Sequence, residues 1–339
     1  MLDKVKISID VMGGDNSPYK TLEGLNLFAK RNQNINDYIF YLFGDETIIN
    51  QKLSNFKYLE NNYKIFDTKI VVSNELSAMS SIKKGKNSSM WKAIQSQIDL
   101  SADVTLSAGN TGVLLVMSKM ILKTLENVDK PALAGLWPNE NNMNIVLDLG
   151  ANVECSEKNL IDFSEMGSAL FKSLFPNEKA KLSLLNIGSE EIKGHETLKN
   201  AYQILENKKN LLYDFCGYIE GNNIMDGDVN VIVTDGFTGN VALKTAEGTA
   251  NFISTELRKA LTDGIIAKIS SLINSNNLKK FKKRLDPRLY NGAIFLGLES
   301  PVIKSHGSSD YIGFANSIDV CVKTVSGMLI DKIKKNIVL

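Results

Sequence analysis

Wherever an apolar run of this chain ends, short polar residues and glycines follow. Asp10 precedes Gly13, Gly14 and Asp15; Ser107 precedes Gly109, Asn110 and Thr111; Asp148 precedes Asn152; Asn186 precedes Lys193; Asp235 precedes Gly236 and Asn240. Apolar run, glycine turn and helical pattern read as strand, tight turn and helix N-terminus. There, unpaired backbone N–H groups and the helix dipole attract an anion. The fullest example runs from Val229 to Lys244. Any one of these glycines can serve only to supply positive φ in a tight connection. Taken together, the turns predict a phosphate-handling cleft at the carboxyl ends of strands, where open α/β sheets hold ligands. Its expected phosphate- or substrate-binding residues are Asp10, Gly13, Gly14, Asp15, Ser107, Gly109, Thr111, Asp148, Asn152, Asn186, Asp235 and Gly236.

Several chemistries are disfavoured. No turn carries the full dinucleotide fingerprint or a phosphate loop ending in Gly-Lys-Ser/Thr. Only two histidines occur, His195 and His306, so a metal site of several histidines is excluded, although carboxylates can still hold magnesium. Ser107 is not in a nucleophile elbow, because Thr105 stands where that motif needs glycine. A phosphate contact suits it better. His306 lies in a polar loop before the last helix, as a helix-entry residue or as a ligand to substrate; His195 opens a surface helix.

The elements that must position these residues alternate. Strands are expected at residues 5–9, 38–43, 70–72, 104–106, 144–147, 182–185 and 229–233, and helices at 18–30, 88–100, 111–125, 157–175 and 195–206. Leu160, Phe163, Met166, Leu170 and Leu174, for instance, keep the spacing of one helical face. Such alternation implies βαβ units and a mostly parallel sheet with helices on both faces. With 339 residues, 43% of them hydrophobic, the chain can bury a large core. No linker or repeat divides it, so a single two-lobed α/β unit over 1–339 is expected. The charges nearly cancel, 39 basic against 38 acidic, which gives no bulk hold on nucleic acid. Three scattered cysteines fit a reducing cytoplasm. A strand beginning at Val5 leaves no room for a signal peptide, and no run reaches the roughly 20 apolar residues of a membrane span.

One region breaks the alternation. A helical pattern continues from Asn240, is interrupted at Gly264 and near Asn274, and forms a projection at about 250–286, followed by 292–298, a loop at 300–310 and a closing helix. Ile265, Ile266, Ile269, Leu272 and Ile273 make an apolar stripe, and Lys279, Lys280, Lys282, Lys283 and Arg284 place five cations in six residues. That combination suits an anionic membrane surface or an acidic protein partner. A helical pair packed on itself or on a dimer mate is the plainer alternative for the stripe.

Seven of these stretches, in order along nearly the whole chain, resemble the acyl-carrier-protein:phosphate acyltransferases of bacterial phospholipid synthesis. They are 10–15 with Gly13-Gly14, 107–112 with Asn110, 148–152, 185–194 with Lys193-Gly194, 234–244 with Asn240 and Lys244, 292–297 and 301–309 with His306. Departures are Asn16 for a usual histidine, Ser77-Ala78-Met79-Ser80 for an acidic, proline-bearing stretch, and Lys83-Lys84-Gly85-Lys86 for an arginine-rich one. They put a site role for that loop in doubt.

The resemblance implies transfer of a long fatty acyl group from acyl carrier protein to inorganic phosphate, in a cytoplasmic enzyme associated peripherally with the membrane. A membrane enzyme then acylates glycerol 3-phosphate with the product. It also implies a homodimer and a three-layer α/β/α fold, isopropylmalate dehydrogenase-like, here with a projecting helical hairpin. Phosphate can attack a thioester directly, so this chemistry requires no metal, no cofactor and no enzyme nucleophile. Asn110 and Asn240 are expected to stabilise the oxyanion, and Lys193, Lys244 or His306 to hold phosphate or protonate the departing thiolate. Lys279–Arg284 would dock the acidic carrier protein or the membrane, with Ile265 and Ile269 touching lipid. Rival readings are a decarboxylating dehydrogenase or phosphate acetyltransferase of similar fold, and a catalytically silent phosphate- or acyl-binding regulator. The dehydrogenases need an arginine-rich site, whereas Arg31, Arg258, Arg284 and Arg288 all lie outside the glycine turns.

Overall fold

The computed structural model describes residues 4–59, 62–72, 85–284 and 286–337. The departures at 77–84 lie outside the described residues. In chain order the strands are β1 (Val5–Asp10), β2 (Tyr38–Gly44), β3 (Tyr63–Asp67), β4 (Val104–Ser107), β5 (Ala132–Pro138), β6 (Met143–Leu147), β7 (Ala180–Asn186), β8 (Tyr213–Glu220), β9 (Val231–Val233), β10 (Ala293–Leu296) and β11 (Val302–Lys304). The α-helices are α1 (Tyr19–Arg31), α2 (Glu46–Leu53), α3 (Ser89–Asp99), α4 (Thr111–Leu122), α5 (Glu157–Leu174), α6 (Glu196–Asn207), α7 (Gly236–Thr262), α8 (Gly264–Ile273), α9 (Ser275–Arg284), α10 (Tyr311–Ser326) and α11 (Leu329–Ile337).

All the strands join one sheet in the order β3-β2-β1-β4-β11-β10-β5-β6-β9-β7-β8. Strand alternation explains why both its faces are covered. In β6, Ile145 and Leu147 enter the core beneath α1, α5, α10 and α11, while Val146 joins the opposite core beneath α3 and α4. β9 and β10 alternate in the same way, Val231 and Val233 against Ile232, and Ile294 and Leu296 against Phe295. Three layers follow from that pattern, as the expected fold class requires.

The sheet changes direction part-way. β3, β2, β1, β4 and β11 are parallel; β10 is antiparallel to β11 and β5; β5 is antiparallel to β6; and β6, β9, β7 and β8 are again parallel. The carboxyl ends of the two parallel halves therefore point opposite ways. The glycine turns therefore fall into two groups, one on each half of the sheet, and α7 leads from the second toward the first.

Some expected elements move. No strand forms at 70–72; the strand beside β2 is β3, earlier in the chain. The expected loop at 300–310 contains β11, wedged between β4 and β10. The helix from 111 stops at Leu122, and the closing helix breaks between Ser326 and Leu329.

The projection is present. α7 runs to Thr262, and α8 and α9 follow with breaks near Gly264 and Asn274. From Gly248 to Arg284 no described residue is buried. Ile265, Ile266, Leu272 and Ile273 are each more than 70% exposed, and Ile269 is 53% exposed, so the stripe is left open among the described residues. Arg284 differs from its neighbours by turning inward: Nη2 donates to the carbonyls of Glu140 at 2.7 Å and Asn139 at 3.4 Å. These bonds tie the arm to the β5–β6 turn. Lys279, Lys280 and Lys283 are exposed, while the Lys282 side chain lies outside the described set. No helix among the described residues is long and apolar enough to cross a membrane.

Candidate active site

Three turns at the carboxyl ends of β1, β4 and β11 stack on one another. The Ser305 N–H donates to the Ser107 carbonyl at 2.9 Å, and the Asp15 N–H donates to the Gly307 carbonyl at 3.0 Å. Beneath them, the Ser107 hydroxyl donates to Asp10 Oδ2 at 2.7 Å and accepts the Gly109 N–H at 3.0 Å. Asp10 is 1% exposed, and burial raises its carboxyl pKa against the pull of the Ser89 and Ser107 hydroxyls and the Met12 and Gly13 backbone. Gly13 is needed for closeness: a Cβ there would lie 2.4 Å from Asp10 Oδ2 and 2.9 Å from Gly109 N. Asp10 and Ser107 thus brace the turns from below.

Two lysines sit on this stack. Lys20, on the first turn of α1, is 6% exposed, and its Nζ donates to the Gly307 carbonyl at 2.6 Å. Lys304, the last residue of β11 and in register with Ser107 of β4, is 8% exposed and donates to the Ser305 carbonyl. Neither forms an ion pair among the described residues; the carboxylate of Asp15 is near both without bonding to them. Burial lowers the pKa of Lys20, opposed by Asp15. Burial, then the charges of Lys20 and Lys244, push Lys304 down to about 8. Buried cations without anionic partners are costly, and proteins keep them where a ligand supplies the missing charge.

Lys244 reaches the same place from the other half of the molecule. It lies just over two turns along α7, exposed, and its Nζ pairs with Glu247 at 2.7 Å. Its charge acts on Lys304 and His306. His306 is exposed at the edge of this group, with Nδ1 3.0 Å from the Ser308 hydroxyl. Partial burial lowers its pKa, Lys244, Lys304 and Lys20 add to the effect, and Glu247 opposes it. Asn291 orients the loop: its Oδ1 accepts the His306 N–H at 2.9 Å and its Nδ2 donates to the Ser305 hydroxyl at 2.9 Å.

The other expected residues separate into roles. Asp148, at the end of β6, spends both oxygens on its own turn: Oδ1 accepts the N–H groups of Leu133 and Ala151 at 3.0 Å, and Oδ2 accepts the backbone and side-chain N–H of Asn152 at 2.8 Å. Burial still raises its pKa. The Asn152 carbonyl accepts the Gly236 N–H at 2.7 Å, which seats the start of α7 on this turn. Asp235 and Asn110 are helix N-caps, accepting the Thr238 N–H at 2.8 Å and the Val113 N–H at 3.1 Å. Asn240 is exposed and lies over Gly150. Asn186 closes its own loop by accepting the Ile187 N–H at 2.8 Å and donating to the Lys193 carbonyl at 3.2 Å. That loop carries the exposed Lys193 beyond the end of β7, in the half of the sheet opposite to the lysine pair. Asp10, Gly13, Gly14, Asp15, Ser107, Gly109, Lys244 and His306 are brought together; among the described residues no side-chain hydrogen bond or ion pair joins Asp148, Asn152, Asn186, Asp235 or Lys193 to them. Lys20 and Lys304 were not anticipated, although both stand in or beside the stretches that carry the resemblance.

A family model described as fatty acid synthesis protein matches residues 5–332. A protein of Pelagibacter ubique called phosphate acyltransferase is 60% identical over 333 residues, 98% of each chain. The chain belongs to this family. A second phosphate acyltransferase, from Paramagnetospirillum magneticum, is 41% identical over 98% of this chain and 93% of its own. Among solved structures, a phosphotransacetylase from Streptococcus pyogenes superposes with a TM-score of 0.61 at 15% identity, over 96% of this chain and 94% of that one. That likeness confirms the phosphate acyltransferase fold as the three-layer type shared with phosphotransacetylases, and at such identity it speaks to fold alone.

Proposed function

We propose that this chain transfers a fatty acyl group from the thioester of acyl carrier protein to inorganic phosphate, forming an acyl phosphate for phospholipid synthesis. The observation that carries this reading is the buried pair Lys20 and Lys304, with Lys244 beside it and, among the described residues, no carboxylate bonded to either buried amine. A small dianion supplies the missing charge. The phosphate acyltransferase name borne by relatives up to 60% identical supports the same acceptor.

Catalysis on this reading is positioning and charge. The lysines hold phosphate at the strand ends, and the acyl thioester approaches it from the side of α7 that carries Asn240 and Lys244. Gathering two reactants in this way can lower a barrier by roughly 7–11 kcal/mol in well-oriented cases. Asn240, exposed over Gly150, supplies an amide for the oxyanion. Its replacement by alanine should lower turnover by roughly 10²–10³-fold without changing thermal unfolding, as for other single oxyanion donors. The assay for the function itself is release of carrier-protein thiol by the purified protein. Release that requires phosphate and fails with sulfate is expected; release indifferent to phosphate would contradict the assignment, and no release with either would favour a silent binding protein.

The exposed arm serves docking. Lys279, Lys280 and Lys283 offer positive charge to an acidic carrier protein, and Ile265 and Ile269 offer an apolar face to a membrane, where an acyltransferase for glycerol 3-phosphate would take the product. A homodimer and a peripheral, cytoplasmic position belong to the same reading. Reversing all three lysines to glutamate should raise the Michaelis constant for acyl carrier protein several-fold, and more steeply at low salt, because rim charges act mainly on association. Unchanged kinetics and unchanged liposome binding would make the cluster a solvated surface.

A further inference from the structure

The reaction proposed above moves one proton as well as one acyl group. An oxygen of monohydrogen phosphate attacks the thioester carbonyl carbon, the C–O bond forms, and the tetrahedral oxyanion collapses with cleavage of C–S. The products are an acyl phosphate dianion and a thiol. The thiol's hydrogen is the one that phosphate lost. Something must therefore take a proton from the P–OH group and deliver one to sulfur.

Resting on that reading, we infer that Lys304 is this relay: its ammonium protonates the departing thiolate, and the resulting neutral amine takes the proton of the phosphoryl group. Its placement is the argument. Lys304 ends β11 between β4 and β10, alongside Ser107, so its backbone is fixed by the centre of the sheet. Its amine is buried on the loop that carries His306, whereas Lys244 is exposed and already paired with Glu247. Lys20 is buried too and is likewise bonded to a carbonyl, that of Gly307, but it stands on the first turn of α1 and not in the sheet.

The charged groups around Lys304 suit it to the task. Lys20 from α1 and Lys244 from α7 disfavour its proton, Asp15 from the β1–α1 turn favours it, and burial leaves the amine near 8. An alkyl thiol such as cysteine titrates near 8.5, so donor and acceptor are closely matched, the condition under which proton transfer is most effective. His306 also faces Lys304, Lys20, Lys244 and Glu247, but burial and the three lysines lower its pKa and so disfavour the protonated imidazole that a donor must be.

Lys304→Arg preserves the charge and removes the relay, since arginine does not titrate in this range. With the natural alkyl thioester, kcat should fall by roughly 10²-fold or more, the usual span for a lost general acid, while the Michaelis constant for phosphate changes little. With an aryl thioester, whose thiolate leaves unprotonated, the variant should run nearly as fast as wild type. At saturating phosphate the wild-type rate on the alkyl thioester should decline as Lys304 loses its proton, at or above the pH of about 8 set by the ligand-free site, and that decline should be absent with the aryl thioester. Equal losses on both thioesters would overturn the relay and leave phosphate acyl transfer standing. A wild-type protein inactive with phosphate on either thioester would overturn both. Should the arginine variant not fold, the wild-type pH profiles on the two thioesters decide the matter.

Discussion

Replacing Lys304 with methionine should make the protein more stable and nearly inactive. The residue is 8% exposed, forms no ion pair among the described residues, and its amine is pushed from 10.5 to about 8, chiefly by burial. At about 1.4 kcal/mol per unit, keeping it charged costs the folded state roughly 3 kcal/mol. A folded pKa below the unfolded one means that the unfolded chain binds more protons between pH 8 and 10.5. Stability then rises across that window, and the full cost is present below pH 8. Methionine of similar length removes it, as hydrophobic replacements of buried charges often do. The variant should melt several degrees higher at pH 7, with the gain shrinking toward pH 10.5. Turnover should fall by at least roughly 10²–10³-fold, since one charged contact to the reacting phosphate is lost. Phosphate at a hundredfold excess over its dissociation constant should stabilise wild type by roughly 2.7 kcal/mol and the variant far less. A variant that melts lower than wild type at pH 7, or that gains as much from phosphate, contradicts the account. The gain traded for function in this way is common where sites store unfavourable charge.

Gly239→Ala should be the most damaging single methyl group in the chain. A Cβ at Gly239 would lie 1.9 Å from the Asp148 carbonyl oxygen, a backbone atom with no rotamer to escape into. Either α7 lifts from the β6 turn or that turn, held by four hydrogen bonds to Asp148, is pushed apart. Overpacking of this sort costs roughly 1–3 kcal/mol and occasionally more. The functional loss should be larger than the stability loss suggests, because α7 carries both Asn240 and Lys244. A displacement of about 1 Å at a positioning element can cost roughly 10²-fold in rate. The control lies in the same helix. Nothing stands within 4 Å of a Cβ at Gly248, so alanine there should stabilise by roughly 0.5–1 kcal/mol through helix propensity, with activity unchanged. Circular dichroism melts and steady-state rates for the two variants separate packing from propensity.

Those two positions also show what could be read before the fold was known. The strand–glycine–helix grammar identified β1, β4, β6, β7 and β9, whose β-branched or apolar runs end in glycine turns. β5 escaped because Ala132, Gly135 and Pro138 dilute its run, and β11 because three residues within a polar loop make no period at all. With β5, β10 and β11 unseen, the reversal of the sheet was unseen, and all the glycine turns were assigned to one cleft. Asp148, Asn152, Asn186 and Asp235 have the composition of phosphate ligands and the geometry of turn braces and helix caps. Composition cannot separate the two, since both roles want a short side chain that accepts from N–H groups.

Lys20 and Lys304 failed in the opposite sense. A lysine on the first turn of an amphipathic helix reads as solvated, and only the loop at Gly307, some 290 residues later, covers it. Lys304 follows the apolar Val302 and Ile303, which was the one available signal, a cation ending a buried strand. The exposed stripe on α8 and the cluster on α9 were readable because they depend on periodicity alone. Arg284 belonged to the cluster by sequence and to the β5–β6 turn by contact.

The central claim is that phosphate bound by Lys20 and Lys304 is the acyl acceptor. Phosphorus NMR on wild-type protein supplied with acyl carrier protein thioester and inorganic phosphate tests it most directly. A new acyl phosphate resonance, growing in step with free thiol and missing from the Lys20→Met and Lys304→Met variants, is the predicted result. Thiol release with phosphate unchanged, or an undiminished resonance in both variants, would contradict it.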